Sequence, residues 1–381
     1  MARSKKSSKA SAAAPSPAQA HQYDPATLIE KAHILLGQSN FELAIKFLER
    51  VLEIDPKNLE ARELVGIAEL EAGDPDVGRQ HLLELLPPHT PQAPEHASPY
   101  LYLAQCAQDP QEALGYYTTA TAMLEKRIGE KDQKGKSKVA EDGQEAEEDE
   151  ERKTVVNALV AMIEIWMSDL CMEEAAERNC DALISRALSV LPNDPEARLS
   201  LASIRMSQSR FDEAKEVAVA LYNDFEGREP FDPILPPLPV RLALSRLLLE
   251  HGEHLPALDI ISTIREEDTL LVEGAYLEGW ALYLRAEAIT ENPALLQVPP
   301  SAPKEERQED ESEEPMSAEE CLSEAMRSLI ECARLFTDED YLDEGIGAHV
   351  AELLEELEKK GIVPAIGDEE EGETEDVEME E

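Results

Sequence analysis

Two histidines and two cysteines have the spacing that could build a metal or redox centre. His251 and His254 stand three apart beside Gly252. Two imidazoles at that spacing could start a zinc site, but no third ligand is near them, and a catalytic zinc needs three protein ligands. The pair reads as two solvated histidines in an inter-helix turn. Cys321 and Cys332 lie eleven apart, three helical turns, and so share one helix face. On such a face a thiol is a small apolar packing group, and core packing is the reading adopted over a redox pair. Carboxylates, the usual material of acid–base catalysis, are everywhere in the chain and single out no position. Neither a glycine-rich phosphate loop, nor HExxH, nor GxSxG occurs. The sequence therefore offers no catalytic, metal or cofactor residues, and the expected class is not an enzyme.

Composition narrows the partners. The 381 residues carry a formal net charge of −47, which repels nucleic acid and anionic membranes and attracts basic proteins. Direct nucleic-acid or membrane binding is not expected. Apolar residues make up 42% but aromatics only 4%, which favours Leu/Ala-rich helices over a β-sandwich. Glu164 and Arg246 interrupt the two best apolar runs well short of the roughly 20 residues that span a bilayer. The beginning, MARSKKSSKASAAAPSPAQA, is basic but lacks the apolar stretch of a secretory signal. The five cysteines (Cys106, Cys171, Cys180, Cys321 and Cys332) are odd in number and form no CxxC, as in a reduced compartment. Cytoplasm and nucleus are the expected locations.

The elements that must position any binding surface are visible as a repeat. The stretch AIKFLERVLEIDPKN, residues 44–58, has a small residue, spaced apolar positions and then Asp-Pro. Equivalent small residues follow at Gly78 and Ala113, 34 and 35 positions further on each time, and again at Ala214 and Ala257. That period is the period of a tetratricopeptide repeat, in which two helices form a hairpin and cross closely at the small residue. Pro56 and Pro192 stop second helices, and Gly66 and Gly73 take the close-packing and turn positions of one hairpin. The predicted fold is all-α, a tetratricopeptide solenoid with about seven hairpins and a capping helix in a right-handed superhelix.

The expected divisions follow from composition. Residues 1–24 form a basic, disordered tail, and residues 25–128 hold repeats one to three. Residues 129–153 are charged and almost free of apolar groups, and read as a disordered insert because they have little to bury. Residues 154–290 hold repeats four to six and the first helix of the seventh. A second disordered acidic insert follows at 291–316, and 317–365 supply the last repeat helix and the cap. Residues 366–381 are an acidic tail. It carries Asp368, Glu369, Glu370, Glu371, Glu373, Glu375, Asp376, Glu378, Glu380 and Glu381, a self-repelling run.

In such arrays the first helix of each hairpin lines a concave groove. The repeat phase places Glu60, Glu63 and Ile67 there from the second repeat, and Tyr102 from the third. Asn157 and Glu164 follow from the fourth, and Tyr276, Trp280 and Tyr283 from the last. The aromatic trio has i, i+4, i+7 spacing and forms one stripe, which serves equally as groove lining or as core. A carboxylate clamp of the kind that grips the acidic end of heat-shock chaperones needs cations on the first helices. The matching positions are Ile29, His33 and Leu64, so that role is excluded.

Three stretches are not required by a generic repeat: DLCME…AE…C at 169–180, SIRMSQ at 203–208 and EGW at 278–280. With them, the chain from about residue 25 to 357 resembles the tetratricopeptide assembly chaperones dedicated to one large-subunit ribosomal protein, universal protein four. The resemblance implies a chaperone that binds this newly made, very basic protein, shields it from aggregation and escorts it to nuclear pre-60S particles. A nuclear import factor and the pre-60S particle would then be transient partners, and the chaperone a monomer bound one-to-one to its client. The charge agrees with this independently. A negative groove and acidic arms are a substitute for RNA around Lys/Arg-rich extensions, and would speed capture by steering. Histone chaperones with acidic inserts and scaffold subunits of large complexes are the alternatives.

Overall fold

The structure is a computed structural model that describes residues 24–135, 142–296 and 315–365. The expected tails at 1–23 and 366–381, and most of the second insert (297–314), lie outside the described residues. Among those described there are fifteen α-helices and no strand, the number that seven pairs and a final helix require. The chain divides into two compact units, residues 1–151 and 152–381, with the division inside one helix.

The first unit holds α1 (Pro25–Leu36), α2 (Phe41–Ile54), α3 (Leu59–Ala72), α4 (Pro75–Leu83), α5 (Ser98–Gln105) and α6 (Pro110–Gly135). Each of α1 to α5 packs on its successor. Starts are fixed locally: Asn58 accepts from Ala61 N–H, Asp74 from Asp76 and Val77, and Asp109 from Gln111. The small-residue reading has a direct cause here. Ala44 is fully buried, and a Cβ on Gly78 would stand 2.8 Å from the Gly66 carbonyl oxygen and 2.9 Å from the Leu70 backbone nitrogen. Helices α3 and α4 can approach only because nothing projects there.

The charged insert is smaller than expected. Helix α6 continues to Gly135 and α7 (Asp142–Met167) begins inside it, so 129–135 and 142–153 are helical and only 136–141 lie outside the described residues. The reason is an ion cluster rather than apolar burial. Glu151 is 6% exposed and accepts from Arg127 on α6, with Lys131 Nζ 3.0 Å away. Burial would raise its carboxyl, but those two cations outweigh burial and hold it below the usual range.

The second unit continues with α8 (Ala176–Val190), α9 (Pro195–Ser207), α10 (Phe211–Asn223), α11 (Leu238–Glu250), α12 (His254–Glu267), α13 (Val272–Glu291), α14 (Ala318–Asp338) and α15 (Glu344–Lys360). Its core joins Leu244, Leu248, Ile260 and Ile264 from α11 and α12 with Leu277 and Ala281 of α13. A second cluster joins α13, α14 and α15 through Leu282, Leu329, Val350 and Leu357. Cys332 is fully buried there, and burial pushes its thiol up to about 11. Cys321 packs separately with Ala286 and Ile289, as a core residue. The two turn histidines are only partly solvated. Both are half-buried at the α11–α12 turn, and burial together with the Arg285 charge holds His254 below its ordinary value.

Candidate partner-binding surface

Structure assigns each expected groove position an environment. In the first unit Glu60 is exposed, with His33 Nε2 3.4 Å from its carboxylate. Glu63 is largely covered, its carboxylate 3.2 Å from His96 Nε2. Ile67 is half-buried on the same helix. Tyr102 on α5 is also half-buried, and burial raises its hydroxyl, with the Glu71 and Glu63 carboxylates adding to the rise. Glu63, Glu71 and Tyr102 therefore share one negative neighbourhood contributed by two successive first helices.

In the second unit Asn157 and Glu164 are exposed, seven apart on α7, and so on one face. Surrounding protein raises the Glu164 carboxyl, and the Glu196 carboxylate on α9 raises it further. Lys153 Nζ lies 2.7 Å from Asp194 and 3.3 Å from Glu196. One lysine thus serves two carboxylates, and Glu164 is left beside a like charge. A carboxylate held under repulsion gains most from an incoming cation.

The aromatic trio is in a different situation from an open groove. Tyr276 and Trp280 stack with ring centroids 5.9 Å apart. His349 of α15 meets both, edge-on to Trp280 at 5.7 Å. Tyr283 is buried, donates to Glu356 at 2.6 Å, and lies under Lys360, whose Nζ is 4.7 Å from the ring centroid. The last helix covers the stripe, so the core reading applies. Covering residues His349, Glu356 and Lys360 are polar, and a search for apolar periodicity passes over them. The EGW stretch has the same structural origin. Glu278 pairs with Arg265, Trp280 meets α15, and a Cβ on Gly279 would lie 2.6 Å from Leu329 of α14.

The other two distinctive stretches converge. Cys171, Glu177 and Cys180 from the first, with Ile204 and Gln208 from the second, line one cavity of about 400 Å3, completed by Trp166 and Met167. Asp181 beside it accepts from Arg205 at 2.9 Å and from Gln208 at 3.2 Å. Burial would raise that carboxyl, but the hydrogen bonds from Arg205 and Gln208 outweigh it and hold it low. Groove phase alone does not find Trp166, Glu177 or Gln208. For Glu177 and Gln208 the signal is that 169–180 and 203–208 depart from a generic repeat; Trp166 lies just before the first of these stretches.

Among the described residues no three metal-ligating side chains stand together, and no helix is long and apolar enough to cross a membrane.

Comparison with known proteins adds to this geometry. Residues 29–97 match the tetratricopeptide repeat family. A protein of Emericella nidulans named "Probable assembly chaperone of rpl4" is 31% identical over 349 residues, covering 88% of this chain and 82% of the relative. A Schizosaccharomyces pombe protein of the same name is 29% identical over 283 residues, 74% of this chain and 75% of the relative. A solved structure titled "Assembly Chaperone of RpL4 (Acl4) (Residues 1-338)" superposes with a TM-score of 0.62 at 29% identity, over 70% of this chain and 99% of that one. Likeness of this extent in sequence and in fold has one family as its source, and the chain belongs to the tetratricopeptide assembly chaperones of rpl4.

Proposed function

We propose that this protein is a dedicated chaperone of the large-subunit ribosomal protein rpl4. It captures the newly made, basic protein in the cytoplasm, keeps it from aggregating and accompanies it to pre-60S particles in the nucleus. The names of the relatives support the client. What supports the mode of capture is that each unit by itself carries carboxylates on its first helices: Glu63 and Glu71 of α3 in the first unit, and Glu164 of α7 with Glu196 of α9 in the second. Burial and the neighbouring Glu196 carboxylate raise the cost of ionising Glu164, and a lysine or arginine of the client relieves it. The ten carboxylates of residues 368–381 supply a second, unselective attraction. Ribosomal RNA, with denser charge, then competes for the same cations and takes the client over. Purification of the tagged protein from cells tests the reading. Rpl4 should co-purify stoichiometrically in a salt-sensitive complex, and a stoichiometric partner of another kind, histones included, would overturn it.

A further inference from the structure

The cavity between the end of α7, the start of α8 and the end of α9 has a chemistry that selects one side chain. At about 400 Å3 it is at the small end of ligand pockets, which run from roughly 300 to 1,000 Å3, and suits one long side chain. Its wall combines the Trp166 indole and the Met167 thioether with the Glu177 carboxylate and the Gln208 amide. Glu177 is exposed and has no ion-pair partner among the described residues. Arg205, on α9 beside the cavity, is already held by Asp181 at 2.9 Å, with Glu213 at 3.5 Å. The cavity therefore combines an indole side chain with a carboxylate that has no ion-pair partner among the described residues, in a chain of net charge −47.

Building on the function proposed above, we propose that this cavity is a subsite for an arginine side chain of an extended basic segment of the client. A guanidinium is planar and weakly hydrated, so it stacks on an indole while its N–H groups reach a carboxylate and neighbouring oxygens. An ammonium is a compact, strongly hydrated charge that gains little from the indole face. Anions are repelled, and a purely apolar side chain would leave the Glu177 and Gln208 ends of the cavity unmatched. The subsite gives the selectivity that exposed acidic arms lack, because it reads the shape of the cation as well as its sign.

Cys171 provides a reporter. It lines the cavity and is the exposed cysteine of the five; Cys180, Cys321 and Cys332 are buried and Cys106 is half-buried. The experiment measures the rate of Cys171 alkylation in the full chain with oligoarginine, with oligolysine of equal length, or with rpl4. Oligoarginine and rpl4 should slow alkylation and oligolysine should not. Glu177→Gln, at an exposed position where folding is not at stake, should abolish the protection and speed rpl4 dissociation roughly tenfold, the scale of one charge-assisted hydrogen bond. Trp166→Phe should keep part of the protection. Equal protection by both peptides, or rpl4 binding that leaves Cys171 open and is indifferent to Glu177→Gln, would overturn the subsite. Protection by oligoarginine without any binding of rpl4 would overturn the client instead, so the two readings fail separately.

Discussion

The hydroxyl of Tyr276 lies 2.8 Å from Nδ1 of His349, joining α13 to a helix more than sixty residues further along the chain. With Tyr283–Glu356 at 2.6 Å, it makes α15 a fitted cover rather than a loose end. Stability depends on this cover. Trp280→Ala should lower the denaturant midpoint by the equivalent of about 2–3 kcal/mol, since the ring is half-buried between two helices. His349→Ala should cost about 1 kcal/mol. Equilibrium unfolding followed by helicity checks both, and a Trp280 variant as stable as the parent would mean that α15 does not hold the stripe.

Gly78 and Gly115 provide a matched pair within the first unit. A Cβ on Gly78 would meet backbone at 2.8 Å, whereas one on Gly115 would meet nothing within 4 Å. Gly78→Ala should therefore destabilise by about 1–3 kcal/mol through overpacking. Gly115→Ala, in the exposed part of α6, should stabilise by about 0.5–1 kcal/mol. Thermal midpoints that move the same way for both would contradict the crossing of α3 and α4.

Arg241 and Glu267 give unit two an acid limit. Arg241 is 3% exposed, donates to Thr263 at 2.8 Å and to the Pro236 carbonyl at 2.9 Å, and pairs with Glu267. The hydrogen bond from Arg241 is the largest cause of a carboxyl held below its ordinary 4.5. A depressed carboxylate adds stability that is complete above the unfolded value and is lost as pH falls through the folded one. Unfolding free energy should therefore fall below about pH 4.5, and Glu267→Gln should flatten part of that slope while lowering stability at neutral pH. Parallel pH profiles for parent and variant would remove the pair from this role.

Residues 129–153 should not be dispensable. Removing them takes away Glu151 and Lys131 together, and with Glu151 an ion-pair partner of Arg127. We expect the deletion to lower the midpoint of the first unit clearly, and Glu151→Gln to do so partly. An unchanged midpoint on deletion would show that the helical extensions of α6 and α7 carry no stability.

These cases mark how far the sequence can be read. Small residues at crossings, as at Ala44, Gly78 and Ala214, and prolines after second helices are local signals, and they led to the correct repeat and helix number. The helical ends of the charged insert were not legible, because Glu151 is held by ion pairs and not by an apolar stripe. The cover on the aromatic stripe was missed for a similar reason: His349, Glu356 and Lys360 hold it through polar contacts. The cavity at Trp166 needed residues some forty positions apart to be brought together, and spacing along the chain carries no information on that.

The central claim is that the first-helix carboxylates grip rpl4 selectively while the acidic tail only attracts it. Binding kinetics of the parent, of Glu164→Lys and of a chain lacking residues 368–381 test it, each with rpl4 and with a histone tetramer. Tail removal should lower the association rate for both partners and weaken its salt dependence, because exposed charges are screened within about 10 Å at 0.1 M salt. Glu164→Lys should mainly speed dissociation, by roughly tenfold or more, and for rpl4 alone. Equal affinity of the parent for both partners, with Glu164→Lys indistinguishable from it, would contradict the claim and leave the acidic tail as the only part that binds.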